Sequence, residues 1–234
     1  MNNTTYWLNY RFGESPFLFW LHTRFKPAKK LRYASKEFDI VIDGYPRSAN
    51  SYAYACFCVS QKKACKVGHH IHVPAQIIRG SRLHLPTILL IRDPEKAIPS
   101  LQLFYPDISM ANAIRGYISF YSTILEGNYK FVLAEFNEVI SDFGEIIKRV
   151  NQLYGTYFTP YIKNEFNESR VRDFMNDMIE EYSLSMNQVL YPTKKKKELR
   201  NELFPLFYSK KLEPLREEAI LIYKQLVSRN LESS

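Results

Sequence analysis

Three short apolar runs, each followed by a segment with helical spacing, constrain the fold of this chain more than any other feature. The runs have the length of β-strands and cover residues 38–43, 87–91 and 130–135. Helix-compatible segments follow at 51–61, 94–103 and 143–150. Because strands that alternate with helices form parallel sheets covered by those helices, we expect a three-layer α/β/α fold with a central, mainly parallel sheet.

The rest of the chain suits one α/β domain, for which 234 residues are enough. Residues 110–125 and the closing segment 215–226 behind Pro214 predict two more helices, whereas the polar stretch 157–190 is predicted as helix and loop without defined boundaries. We see no internal repeat. We predict an N-terminal aromatic and basic arm at 1–37 and a single domain at 38–234.

Charge and cysteine content narrow the partners and the compartment. Lysine and arginine exceed aspartate and glutamate by 32 to 24, so the net charge of +8 favours an anionic partner. Three clustered cysteines are a poor basis for disulfides, and we expect neither a leader nor a segment that spans a bilayer. We expect a cytoplasmic protein. The aromatic and basic arm also suits a membrane surface, although packing on its own domain is the favoured alternative.

The loop after the first strand is the first candidate for chemistry, because ligands of open parallel sheets bind at the carboxyl ends of strands. Its sequence, Gly44-Tyr-Pro-Arg-Ser-Ala-Asn-Ser51, lies close to the phosphate-loop pattern G-x-x-x-x-G-K-[ST]. Ala49 replaces the second glycine and Asn50 replaces the lysine. Backbone N–H groups and a helix N-terminus would still point at an anion, and Arg47 supplies a cation inside the loop. The sheet is therefore expected to resemble that of P-loop NTPases.

A second motif stands at the end of the strand 87–91. Arg92-Asp-Pro94 follows this strand directly, and Ser100 lies eight residues after the arginine. A strand-end arginine and a serine two helical turns later can bind one phosphate together, through a charge-assisted hydrogen bond and a hydroxyl donor. The two motifs therefore predict two anion-binding points at the same edge of the sheet.

Taken together, these motifs resemble those of the sulfotransferases that use 3′-phosphoadenosine 5′-phosphosulfate (PAPS), over roughly residues 38–154. The resemblance implies that Arg92 and Ser100 hold the 3′-phosphate and that Tyr52 lies near the adenine. It also implies that the 5′-phosphosulfate is held by Arg47, Ser48, Ala49, Asn50 and Ser51.

Two departures from the family pattern stand out. The family usually has glycine where Ala49 stands, so this residue must accept or alter the backbone angles of a tight turn. The glycine-containing basic segment that completes the 3′-phosphate site has only the stretch 194–197, four lysines, as its counterpart. That stretch is equally consistent with a solvated charge run.

Three histidines lie between the two motifs, in Gly68-His-His-Ile-His-Val-Pro74. The family commonly places a Lys-Thr-His-Leu-Pro-like segment here, and its histidine takes the proton of the acceptor hydroxyl. Matching proline to proline puts His72 in that role and His70 in place of the lysine. In an extended segment these two side chains would point the same way. A histidine that merely bonds a backbone group is the alternative, and His69 and His70 compete for the role of base.

Three other functions are each compatible with part of the sequence. Zinc bound by Cys56, Cys58, Cys65 and the histidines is disfavoured, because C-x-C on a helix directs its thiols to nearly opposite faces, so we expect no metal. A kinase with Ser51 and Asp93 on magnesium would lack the phosphate-loop lysine. A non-catalytic anion or nucleic-acid binder would explain the charge but not the strand-end arginines. We expect sulfuryl transfer from PAPS to a hydroxyl of a small molecule, lipid or glycan, without a nucleic-acid partner and with Arg47 carrying the leaving charge.

Overall fold

A four-stranded parallel sheet forms the centre of the computed structural model, which describes residues 3–25, 32–182 and 194–232. The strands are β1 (Ile40–Gly44), β2 (Val67–His69), β3 (Thr87–Ile91) and β4 (Val132–Glu135). They are ordered β2-β1-β3-β4, and each adjacent pair is parallel. The predicted α/β class with a central parallel sheet is therefore confirmed.

Helices connect these strands and cover the sheet. Those before β3 are α1 (Asn3–Gly13), α2 (Pro16–Thr23), α3 (Asn50–Ser60) and α4 (Pro74–Arg82). Those after β3 are α5 (Pro94–Phe104), α6 (Met110–Leu125), α7 (Phe136–Ser141), α8 (Phe143–Tyr154), α9 (Glu165–Glu181), α10 (Lys194–Glu202), α11 (Phe204–Phe207) and, after a 3₁₀ turn at Lys210–Leu212, α12 (Glu213–Glu232).

The strands are apolar on both faces because a helical layer covers each one. Val41 and Leu89 contribute to a core cluster that also contains residues of α1, α4, α5, α6 and α12. Their neighbours Ile42 and Leu90 contribute to a second cluster with residues of α3, α8 and α9. Successive strand residues thus enter opposite cores, which is why the runs are apolar without alternation.

Agreement with the predicted elements is best where the apolar pattern is long. The boundaries of β3 and α6 match the predicted segments 87–91 and 110–125. The stretch 157–190, predicted as helix and loop without boundaries, contains α9, whose amphipathic pattern is diluted by many charged residues. The three-residue strand β2 was not predicted, because so short a run carries no period to recognise.

A group of buried tyrosines ties the N-terminal helix to the loop after β1. The hydroxyl groups of Tyr6 and Tyr45 lie 3.1 Å apart, and Tyr45 donates to the carbonyl of Ala113 over 2.8 Å. The backbone N–H of Tyr45 in turn donates to the hydroxyl of Tyr121. Burial raises the pKa of Tyr6 and Tyr121, so both hydroxyls stay protonated. The buried tyrosines and the carbonyl of Ala113 therefore hold Tyr45, at the start of the loop, in place.

Within the described part of the chain, no helix is long and apolar enough to cross a membrane. Residues 26–31 of the predicted arm lie outside the described residues, as do 183–193.

Candidate functional site

The loop between β1 and α3 adopts the conformation that binds anions through backbone amides. Arg47 and Ala49 both have left-handed backbone angles, with φ of 71° and 68°, and they flank Ser48, whose φ is not positive. Such alternation is typical of turns whose N–H groups bind anions, and within this turn the N–H of Ser48 donates to the carbonyl of Tyr45 over 3.3 Å. Ala49 then caps α3 without any side-chain hydrogen bond, so the first-turn N–H groups of this helix also face outward. Ala49 accepts the backbone angles that glycine would adopt freely.

Two polar side chains of the loop are turned inward and shape it. Asn50, in the position of the phosphate-loop lysine, donates from Nδ2 to the carbonyl of Tyr45 over 3.0 Å. Its Oδ1 is buried and has no hydrogen-bond partner among the described residues. Ser48 is fully buried. The loop thus replaces the lysine cation with an amide that closes the turn, and any positive charge must come from elsewhere.

That charge comes from the two motif arginines, which the fold brings together. Arg47 Nε donates to Ser100 Oγ over 3.2 Å, and its guanidinium lies over the ring of Phe104. Arg92 donates from Nη1 to the backbone carbonyl of Arg47 over 3.0 Å and stacks on Phe136. The strand-end arginine therefore holds the phosphate-loop-like turn in place, and the serine of the second motif contacts the arginine of the first.

A third arginine, which the sequence analysis did not identify, lies beside them. Arg200 on α10 is close enough to Arg92 to disfavour its charge, and its own Nε is buried with no hydrogen-bond partner in the described chain. The stretch 194–197 forms the start of α10, but the side chains of 195–197 lie outside the described residues. Arg200 follows those lysines by one helical turn, and only the helical spacing within this charge run could have singled it out.

The charge of this arginine cluster is not balanced by carboxylates. No ion pair among the described residues involves Arg47, Arg92 or Arg200. Burial lowers the pKa of Arg92 to about 10, with further contributions from the positive charges of Arg200 and Arg47, and burial alone lowers that of Arg47 to about 10. The nearby carboxylate of Asp93 accepts from the N–H of Glu95 and caps α5. The charge of Asp93 acts on Arg92 in the opposite direction, but the two form no ion pair within the described chain, so these partly buried cations favour an anionic ligand.

A buried carboxylate at the end of β1 organises the histidine segment. Asp43 is fully buried and accepts hydrogen bonds from the backbone N–H groups of Ile71, over 2.7 Å, and His72, over 3.3 Å. Because the backbone bends around this carboxylate, His70 and His72 have left-handed φ values of 52° and 59°. The prediction of an extended segment was therefore wrong. Asp43 was not predicted as a site residue, although a carboxylate inside an apolar strand is a signal for such a role.

The same carboxylate fixes the tautomer of His72. Its Nδ1 lies 2.9 Å from the carbonyl oxygen of Gly44 and 3.2 Å from Asp43 Oδ1. Both neighbours are acceptors, so Nδ1 carries the hydrogen and Nε2 keeps its lone pair. The side chain of His72 is 26% exposed, so this second nitrogen belongs to a ring that solvent and ligands reach.

The other two histidines are enclosed. His70 has both ring nitrogens engaged, Nδ1 with His69 Nδ1 at 2.7 Å and Nε2 with Ser51 Oγ at 2.9 Å. Burial lowers the pKa of His70 well below its ordinary value and that of His69 to about 3, so both rings stay neutral. His69 also stacks on Tyr54 at 3.8 Å between ring centroids. These contacts engage both ring nitrogens of His70, one of them with the serine of the loop.

Tyr52 and the cysteines are the remaining candidates from the sequence. Tyr52 donates to Glu168 Oε1 over 2.6 Å, which ties the first turn of α3 to α9. Cys56 is buried, and burial raises the pKa of Cys58 to about 11. Within the described ranges, no group of three or more histidine, cysteine or acidic side chains could hold a metal ion.

Comparison with known proteins shows similarity to solved structures. No protein-family model matches the sequence, and no curated protein matches it. Among solved structures, the chain is similar to the mouse sulfotransferase SULT7A1 complexed with PAP, with 12% identity, a TM-score of 0.41, and coverage of 82% of this chain and 92% of that chain. The description of the site rests on the geometry of this chain itself.

The left-handed conformation of Ala49 gives a prediction for stability. Substituting Ala49→Gly removes the Cβ strain of this conformation, which exceeds the entropy cost of glycine, so we expect a gain of about 0.5–1 kcal/mol. Chemical denaturation measures it, with Ala53→Gly as the control. Ala53 lies inside the right-handed part of α3, so glycine there should destabilise by about 1 kcal/mol. A loss of stability in Ala49→Gly would contradict the assigned loop conformation.

Proposed function

We propose that this chain is a sulfotransferase that moves a sulfuryl group from PAPS to an acceptor hydroxyl. The observation that carries the proposal is the meeting of Arg92 with the turn that contains Arg47, at the carboxyl ends of β3 and β1. This arrangement offers two kinds of anion contact side by side: outward backbone amides and unpaired guanidinium groups. PAPS carries two separate anionic groups on one nucleoside, and the two contacts fit them.

Each anionic group has its own set of residues under this proposal. The loop amides and the N-terminus of α3 would hold the 5′-phosphosulfate, where a backbone nest and the helix dipole both favour negative charge. Arg92 and Ser100 would hold the 3′-phosphate, with Arg200 as a third donor. Arg47 lies between the two sets, so its guanidinium can neutralise the charge that appears on the leaving phosphate oxygen.

His72 is the proposed general base. Its Nε2 would accept the proton of the acceptor hydroxyl while that oxygen forms a bond to sulfur and the bond from sulfur to the phosphate oxygen breaks. Asp43 is the proposed positioning residue, because it binds the backbone of the histidine segment and lies 3.2 Å from Nδ1, while the carbonyl of Gly44 accepts the hydrogen bond of Nδ1. His70 is less suited to this role, since both of its nitrogens are already engaged.

A nucleotide kinase is supported less well by the same contacts. Asn50 stands where a kinase has the lysine that reaches the β- and γ-phosphates, and its amide closes the turn instead. The carboxylate of Asp93, a candidate magnesium ligand, caps α5. The acceptor is proposed only as a hydroxyl compound, in which a small molecule, a lipid and a glycan share the reacting group.

Arg92 provides the first test of the donor site. We expect Arg92→Ala to weaken binding of adenosine 3′,5′-bisphosphate by about 10–100-fold. Binding of adenosine 5′-phosphosulfate, which lacks the 3′-phosphate and is affected only through the lost contact to the loop, should weaken by a smaller factor. Calorimetric titration of both ligands measures the difference. Arg115→Ala is the matched control, because Arg115 is exposed and donates a hydrogen bond to Asn112 on its own helix. Equal weakening of both ligands would show that Arg92 supports the fold instead of the 3′-phosphate.

His72 provides the second test, through turnover. We expect His72→Ala to lower kcat by about 10²–10⁴-fold while bisphosphate affinity and thermal stability stay near the unmodified values. His70→Ala is the matched control on the same segment and should keep most of its turnover. Transfer of labelled sulfate to a phenolic or sugar hydroxyl measures both variants. Near-full activity of His72→Ala, with loss in His70→Ala, would move the base to His70.

A further inference from the structure

The first two helices carry the same short sequence twice, although no internal repeat was predicted. Trp7-Leu-Asn-Tyr-Arg-Phe12 lies on α1, and Trp20-Leu-His-Thr-Arg-Phe25 runs from α2 into the residues after it. Both copies therefore read Trp-Leu-x-x-Arg-Phe, and they contain the two tryptophans of the chain. Each is preceded by a buried aromatic residue, Tyr6 or Phe19.

Burial follows the repeat residue by residue. In both copies the fourth residue, Tyr10 or Thr23, is buried, whereas the tryptophan, leucine, arginine and phenylalanine are exposed. Half of the exposed large hydrophobic side chains among the described residues, 8 of 16, lie in this segment. They are Trp7, Leu8, Phe12, Phe17, Leu18, Trp20, Leu21 and Phe25. We call these eight residues, with Arg11 and Arg24, the repeat face.

The arginines of the repeat face are arranged alike. The guanidinium of Arg11 lies 5.7 Å from the ring centre of Trp7, and that of Arg24 lies 5.1 Å from the ring centre of Trp20. Such a pair presents an aromatic ring and a cation together. Tryptophan and phenylalanine favour the boundary between lipid headgroups and acyl chains, and arginine reaches from there to phosphate. The pairing suits a surface that is apolar below a layer of anions.

Charge around the repeat face points the same way. Glu14 is the one acidic residue between positions 3 and 25, and it accepts hydrogen bonds from Arg11 and Ser119. Arg79 and Arg82 of α4 line a shallow cleft with Phe17 and Trp20. Cations therefore border the aromatic side chains, and a protein partner with an acidic rim or a bilayer with anionic lipids would be attracted.

We propose that the repeat face binds the surface of a bilayer that contains anionic lipids. Two short helices with outward tryptophan, leucine and phenylalanine beside arginine have the composition of helices that lie in the interface plane. This face repeats one aromatic-cationic unit along two consecutive helices, which suits the laterally uniform surface of a bilayer. Within the described contacts, the repeat face shares no residue with the proposed donor site around Arg47, Arg92 and His72, so the two proposals succeed or fail separately.

The two tryptophans report binding directly. The full chain is titrated with vesicles of phosphatidylcholine alone and with vesicles that also contain phosphatidylglycerol. We expect a blue shift of tryptophan emission and quenching by lipids brominated near the glycerol end of the acyl chain, with tighter binding to the anionic vesicles and weaker binding at high salt. Unchanged emission with both vesicle types would overturn the proposal.

A matched pair of variants locates the contact. Trp20→Ser with Arg24→Ser should weaken partitioning roughly tenfold or more, read by co-sedimentation. Phe166→Ser with Arg170→Ser removes another exposed aromatic-arginine pair, at 5.8 Å on α9, and should leave partitioning unchanged. Leu21→Ser serves as a milder second variant, and thermal melting checks that each one is folded.

Three results would overturn the proposal. The first is equal binding by the Trp20/Arg24 variant and the unmodified chain, and the second is an equal loss in the Phe166/Arg170 variant. The third is self-association of the unmodified chain, seen by sedimentation velocity, that the Trp20/Arg24 variant abolishes while vesicles are not bound. That last result would assign the repeat face to a contact between copies of this chain.

Discussion

The hydrogen bond from Arg92 to the backbone carbonyl of Arg47 is the contact on which the candidate site depends. It joins the carboxyl ends of β3 and β1 and holds the turn whose amides face outward. Parallel pairing of these two strands brings the groups together, since Gly44 pairs with Leu90 one residue from the end of β3. The same contact turns two cations toward one region, so a structural role and a binding role share the residue.

Placing cations there has a cost that an anion can offset. Burial of the guanidinium groups disfavours their charge, and no ion pair in the described chain compensates them. Groups kept in this state are common at functional sites, because the ligand supplies the missing interaction. A dianionic phosphate group would supply that interaction. The arginines would then provide the positive charge that the loop lacks, since Asn50 stands in place of the phosphate-loop lysine.

Asp43 has a comparable position on the other side of the loop. Its carboxylate is satisfied by N–H groups of the histidine segment and by His72 itself. One buried charge therefore sets both the unusual backbone of 70–72 and the direction in which His72 offers its lone pair. The proposed chemistry depends on this arrangement, whereas His69 and His70 contribute packing and hydrogen bonds beneath it.

The sequence predicted the parts of the structure that depend on local pattern. β3 was found as a continuous apolar run and α6 as a segment with helical spacing, and the strand-end positions of Arg47 and Arg92 followed from the strands. Arg200 and Asp43 were missed, because their partners are distant in the sequence and only the fold brings them close. The bend at 70–72 was missed for the same reason, since it is imposed by a carboxylate on β1.

The proposed site binds a nucleoside with a 3′-phosphate, and thermal unfolding with added ligands tests this binding most directly. Adenosine 3′,5′-bisphosphate without magnesium is compared with ATP in the presence and absence of magnesium. At about one hundred times its Kd, a ligand stabilises the folded chain by about 2.7 kcal/mol, which for this chain length is about 5–10 °C in Tm. The account predicts this shift for the bisphosphate without metal and a much smaller one for ATP. A shift for ATP that requires magnesium, with none for the bisphosphate, would contradict it.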